Sequence, residues 1–196
     1  MSAAPTVSAL TREQWLAALV DALRPVFKSH GYPLPAKIRV SCGWPSRKAI
    51  GTRSCRIGEA WSPQCSADGT HETFLSPMLD DPIEVGHVLV HELVHHAVGV
   101  VHGHRGPFAK LARAIGLVGK LTATTAGPEL EAELKLLIEV IGVYPHRKLV
   151  GTNHKKQSTR MLKVTCIECG CIVRMTQKWL DDVGCPTCAC GGAMER

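Results

Sequence analysis

Residues 81–99 leave the chain little choice of conformation. Asp81 is a good N-cap, Pro82 suits the first helical position and Glu84 falls at the third, so a helix should begin here and run to about Val98, with Gly99 near its end. Along it stand His91, Glu92, Leu93, Val94 and His95. Helical residues four apart share a face, one turn above the other, so both imidazoles can reach one metal ion. Glu92 adjoins the first of them, where its carboxylate can take a proton from water that zinc has made acidic. The spacing predicts a catalytic zinc held by His91 and His95, with Glu92 as general base.

A catalytic zinc site wants three protein ligands and an open position. His104 is the best-placed third ligand, because it follows Gly103 after the helix and precedes Pro107, which opens the next one. His102 is the alternative. His87 lies one turn before His91 and is read as a supporting or surface residue, since a fourth histidine would close the site. His96 faces away from the pair and is read as structural. His71-Glu72 lacks a histidine three residues on and is given no role.

The flanking pattern is mixed α and β. Leu10 to His30 reads as an amphipathic helix with Trp15, Leu16, Leu19, Val20 and Leu23 on one side. Strands are expected at Lys37–Cys42, near Ile57–Ser62 and near Glu72–Ser76, with a turn-rich loop from Gly43 to Gly51. Pro107 opens a helix with Phe108, Leu111, Ala112 and Ile115 on one face, closed by Gly116. Pro128 starts another, Glu129 to Ile141, with Leu130, Leu134, Leu137 and Ile141 inward. Tyr144 to Lys163 is basic and turn-prone and reads as a linker.

Six of the nine cysteines fall between Cys166 and Cys190. Cys166-x-x-Cys169-Gly170 and Cys185-x-x-Cys188-x-Cys190-Gly191 read as the two halves of a zinc ribbon; spacing alone favours Cys185 with Cys188 in the second half. So short a tail has too little core to fold alone, and a structural zinc would supply most of its stability. An odd cysteine total and no basic, apolar start at Met1–Val7 argue for metal rather than disulfides and for a cytoplasmic protein. The apolar tract Val85–Val101 is broken by Glu92 and four histidines, so no membrane span is expected there. Of the formal net charge of +6, residues 142–196 hold nine Lys/Arg against four Asp/Glu, a net of +5. Lys155, Lys156, Arg160 and Lys163, then Arg174, Lys178 and Trp179, combine positive charge with an aromatic, a composition that suits DNA. Trp179 reads equally as the core of the ribbon.

The run His91-Glu92-Leu93-Val94-His95-His96-Ala97, followed by Gly103-His104-Arg105-Gly106-Pro107-Phe108, resembles the SprT-like metallopeptidase family, which includes the Spartan proteases that cleave proteins crosslinked to DNA and has bacterial and phage relatives. The resemblance covers roughly Leu10 to Ile141 and continues into the tail; Arg105 departs from it, standing where the family usually has Gly. It implies a small zincin-like α+β domain, a few-stranded sheet beside the motif helix, with His104 as third ligand. It also implies a C-terminal zinc ribbon. In phage-type relatives a stretch similar to Arg174-Met175-Thr176-Gln177-Lys178-Trp179-Leu180 precedes a C-x-C-G pair, which favours Cys188 with Cys190 over Cys185 and leaves Cys171 a spare thiol. The expectation is therefore a metallopeptidase domain over 1–143, a basic linker over 144–163 and a ribbon over 164–196, with one catalytic and one structural zinc. The expected activity is cleavage of DNA-associated proteins in the cytoplasm or at the nucleoid. A nucleic-acid-binding adaptor without proteolytic activity is the alternative, and a hydrolase of a non-protein bond is a third.

Overall fold

The computed structural model describes residues 10–50, 55–150 and 160–196. The chain forms two compact units, Met1–Gly151 and Thr152–Arg196. Lys155 and Lys156 of the expected linker, and the end of the loop after Gly43, lie outside the described residues.

In the first unit, helix α1 (Arg12–Ser29) starts at a reciprocal cap. The Gln14 N–H donates to Thr11 Oγ1 at 3.2 Å and the Thr11 N–H donates to Gln14 Oε1 at 2.8 Å. Its inner face buries Trp15, Leu16, Leu19, Val20, Leu23 and Phe27. Strand β1 (Ile38–Cys42) runs parallel to β3 (His71–Leu75), and β2 (Gly58–Trp61) pairs antiparallel with β3's other side. The order β1-β3-β2 leaves β2 at an edge.

Helix α2 (Pro82–Val98) is the axis of the unit. The Asp81 side chain accepts from the Glu84 N–H at 2.8 Å, as the cap predicts. Val85, Val88, Leu89, Val90, Leu93 and Val94 are all buried, so the helix is enclosed on several sides. Helix α3 (Pro107–Ala114) leads into an antiparallel hairpin, β4 (Leu117–Lys120) and β5 (Ala123–Ala126), and then helix α4 (Pro128–Ile141). The hairpin was not legible in the sequence: its strands are four residues long and mostly polar or small, without a clear alternation.

Residues 144–149 also depart from expectation. They do not lead away as a linker but lie against the first unit. Tyr144 is 4% exposed and its ring sits 4.9 Å from Trp15. The Trp15 indole N–H donates to the Gly142 carbonyl at 2.7 Å, and the Leu149 N–H donates to the Pro77 carbonyl at 2.8 Å. Burying one large aromatic outweighs the polar character of its neighbours.

The second unit is a three-stranded sheet ordered β7-β6-β8, from β6 (Leu162–Cys166), β7 (Ile172–Met175) and β8 (Met194–Glu195), with the short helix α5 (Gln177–Val183) between β7 and β8. Its core is Val164, Cys166 and Met194 with a few half-buried neighbours. Among the described residues no helix is long and apolar enough to cross a membrane.

Candidate metal centres

Three elements converge on the first centre. Helix α2 supplies His91, Glu92 and His95. Gly99 ends it with φ +93°, a 3-10 turn covers Val100–His102, and Gly103 at φ +51° reverses the chain so that His104 comes back over the helix. His104 Nε2 then lies 3.1 Å from His91 Nε2 and 3.3 Å from His95 Nε2. Tetrahedral zinc with Zn–N of 2.0–2.1 Å would place its ligand nitrogens about 3.3 Å apart. The spacing fits one ion. His102, the alternative ligand, is exposed and outside the group; His87 is half-buried and also outside it. Arg105 is not among the residues with positive φ, so the backbone there accommodates a side chain without strain.

The rings are held by two contacts from outside the His91–His95 run. Phe108, fully buried at the start of α3, packs against all three, with ring centroids 5.0, 4.3 and 4.9 Å from His91, His95 and His104. Thr124 Oγ1 on β5 lies 2.8 Å from His91 Nδ1. A ring with its proton on Nδ1 donates there and keeps the Nε2 lone pair free for a metal.

Burial makes the imidazoles poor bases and leaves them in the neutral, ligating form. It lowers His91 to about 4 and His95 to about 3, helped by neighbouring histidines, and lowers His104, where Arg56 adds its charge. Burial acts oppositely on Glu92, pushing its carboxyl up to about 8 against the pull of Arg56 and of the Ala60 N–H. Three lone pairs and a buried carboxyl, all favouring their neutral forms, make a pocket that a dication would complete.

Glu92 reaches β2 only because position 58 has no side chain. A Cβ on Gly58 would meet Glu92 Cδ at 3.0 Å and Val88 Cγ1 at 2.9 Å. The centre opens into a cavity of about 810 Å³. Arg56, just ahead of β2, and Gly58 and Ala60 on it line one side, and Lys120, Thr122 and Thr124 line it along the β4–β5 hairpin. His96 points elsewhere, as expected: its Nε2 is 2.7 Å from Thr73 Oγ1 and its Nδ1 is 3.2 Å from His71 Nδ1, which ties α2 to β3. Glu72 pairs with Arg39 across the β1–β3 register.

The second centre joins Cys166, Cys169, Cys188 and Cys190. Cys166 Sγ is 3.6 Å from Cys190 Sγ, and Cys169 Sγ is 3.5 Å from Cys188 Sγ. A tetrahedral ion with Zn–S of 2.3 Å would separate sulfurs by about 3.8 Å, so this group also fits. The Cys169 N–H, with help from Glu168, pulls the Cys166 thiol down to about 6. At Cys169 the Cys171 N–H acts the same way, but the sulfurs of Cys190, Cys188 and Cys166 push it up to about 12. Four crowded sulfurs cannot all ionise without a cation. Cys185 is exposed and outside the group, and Cys171 is exposed. Trp179 does not form the core of this unit but is 53% exposed, with Lys178 Nζ 5.6 Å from its ring centre.

The chain thus has a His₃ group and a Cys₄ group, each able to hold a metal ion. Comparison with protein-family models, curated proteins and solved structures found no match.

Proposed function

We propose that the chain is a zinc-dependent endopeptidase of the SprT-like kind, with a zincin-like first unit and a zinc ribbon as its second. One observation carries the reading: three imidazole nitrogens converge in an open cavity directly beside a buried carboxylate. Three nitrogens with room for a fourth ligand suit catalytic zinc, and four sulfurs suit structural zinc. Zinc in the first site supplies Lewis acidity for a carbonyl and for water.

This chain's own residues do the rest. His91, His95 and His104 hold the ion, with His91 oriented by Thr124 and all three rings backed by Phe108. Glu92 receives the proton of the attacking water and passes it to the departing amine. The Ala60 N–H and the bare backbone at Gly58 fix that carboxylate. Strand β2 lines the cavity and, among the described residues, has no strand beyond it in its sheet, which suits an extended peptide. Arg174, Lys178 and the exposed Trp179 suit nucleic acid, so the substrates are read as DNA-associated proteins.

The exposed Trp179 also fits an adaptor that only binds nucleic acid. Glu92 favours the enzyme: burying a carboxylate beside a metal site is costly, and an adaptor has no use for it. The test is proteolysis by purified protein, with and without single- and double-stranded DNA, beside Glu92→Gln. The variant should keep its zinc and lose about 10²–10⁴-fold in cleavage rate. Full cleavage by the variant, or no cleavage by wild type under any condition, would favour the adaptor.

A further inference from the structure

We propose that Arg56 is the residue that meets the negative charge developing on the scissile carbonyl oxygen, and that Glu59 exists to position it. The inference rests on the endopeptidase reading and adds the electrostatic partner that His91, Glu92, His95 and His104 do not provide.

Among the described residues, three with permanently cationic side chains line the cavity: Lys48, Arg56 and Lys120. The two lysines are exposed side chains. Of these three, Arg56 is the one built in. Its backbone N–H donates to the Lys48 carbonyl at 2.9 Å, just ahead of β2. Its Nη1 is paired with Glu59 Oε1. The Glu59 side chain is only 10% exposed, and its two oxygens accept from the Ser46 hydroxyl at 2.7 Å and the Ser46 N–H at 2.8 Å, with the Trp61 side chain as a further donor. A carboxylate anchored to both the loop and the strand transmits its position to the guanidinium it holds. Nearly half of the Arg56 side chain stays open to solvent, so the group has room for a second anion.

The placement has a cost that needs a reason. Arg56 lines the same cavity as Glu92, His91, His95 and His104. A fixed cation there opposes the binding of a dication. Glu59 offsets it at rest. The arrangement becomes favourable when a further negative charge forms between the guanidinium and the metal centre, which is what attack of water on a carbonyl produces. A planar fork fixed in advance is better suited to this than a mobile ammonium. The bland alternative is an ordinary ion pair between residues three apart on a surface, which contributes little to stability.

The experiment is calorimetry on the full-length, zinc-loaded protein with two probes. N-phosphoryl-leucyl-phenylalanine presents a tetrahedral anion to the metal. Mercaptoacetyl-leucine amide reaches the metal through sulfur and presents no oxyanion. Arg56→Ala should weaken the phosphoryl probe about 10²–10³-fold, the range for loss of one oxyanion donor, and leave the thiol probe within about threefold. Arg56→Lys should recover part of the loss. In cleavage assays the same variants should lower kcat and leave KM nearly unchanged. Equal effects on both probes, no effect on either, or no binding of the phosphoryl probe to wild type would overturn the proposal. The two readings fail separately. Glu92-dependent cleavage with Arg56-independent probe binding sinks this inference alone; Arg56-dependent probe binding without Glu92-dependent cleavage sinks the endopeptidase reading and leaves Arg56 as an anion-binding partner of the centre.

Discussion

The two candidate metal centres are built in opposite ways. The histidine centre stands on a large core: α2 is enclosed by buried side chains, Phe108 backs all three rings and Thr124 holds one of them. The cysteine centre has almost no core beneath it, only Val164, Cys166 and Met194 with half-buried neighbours. In the first, the fold pre-positions the side chains and a bound ion would be an addition. In the second, a bound ion would be part of the fold. The difference in donor number goes with this. A scaffold that is already rigid can leave a coordination position open, whereas a scaffold that needs the metal uses every position for protein.

The sharpest way to break that comparison is to remove metal from each centre. Cys166→Ser/Cys169→Ser should abolish the fold of residues 160–196, because structural zinc in so small a unit contributes about 10–16 kcal/mol of binding free energy. Zinc should fall by one ion per chain, and the β6–β7 amide resonances should collapse while those of α1 and α2 persist. A ribbon that stays folded without metal would erase the contrast.

Gly58→Ala comes next. The added Cβ displaces the Glu92 carboxylate or Val88. Cleavage should drop about as far as on losing the base, some 10²–10⁴-fold, with zinc content and helix content unchanged. Retained cleavage would mean that β2 does not position Glu92.

His104→Ala should weaken zinc at the first centre by more than the roughly 10–100-fold expected for loss of a supporting partner, and His102→Ala should have no effect. Competition with a chromophoric chelator measures both, and the unit should remain folded in each. The reverse order would move the ligand to His102.

Thr124→Val, nearly the same size, removes only the oxygen facing His91 Nδ1. Zinc affinity should fall by about 10–100-fold. An unchanged value would show that Phe108 and the core orient His91 without help.

Much of this was readable from local chemistry. Asp81, Pro82 and Glu84 write a helix start, and spacing of four puts His91 and His95 on one face; both follow from contacts within a single turn. The cysteine pairs are equally local, although spacing alone pointed to Cys185 and the chain returns Cys190 instead, because the turn after Cys188 closes on Gly191 and Gly192, where the backbone passes so near Cys166 that a Cβ on Gly192 would lie 2.8 Å from its sulfur. Strands β1, β2 and β3 were legible within a residue or so, but not that β1 and β3 run parallel and β2 forms the edge.

What the sequence determined by itself was therefore the candidate set: which helix carries the histidines able to hold a metal, which carboxyl stands beside them and which two stretches bring the cysteines. Those are short-range facts, set by helical pitch and turn chemistry. Tertiary structure decided everything that holds the set in place. Thr124 lies 33 residues beyond His91, on a hairpin that announces nothing in sequence. Arg56, Glu59 and Ser46 are a loop cation, a strand carboxylate and a loop hydroxyl with no motif among them. Tyr144 looked like linker until Trp15 covered it. Such contacts depend on which distant surfaces pack together, and packing is governed by the shape of the whole core rather than by any run of residues within it.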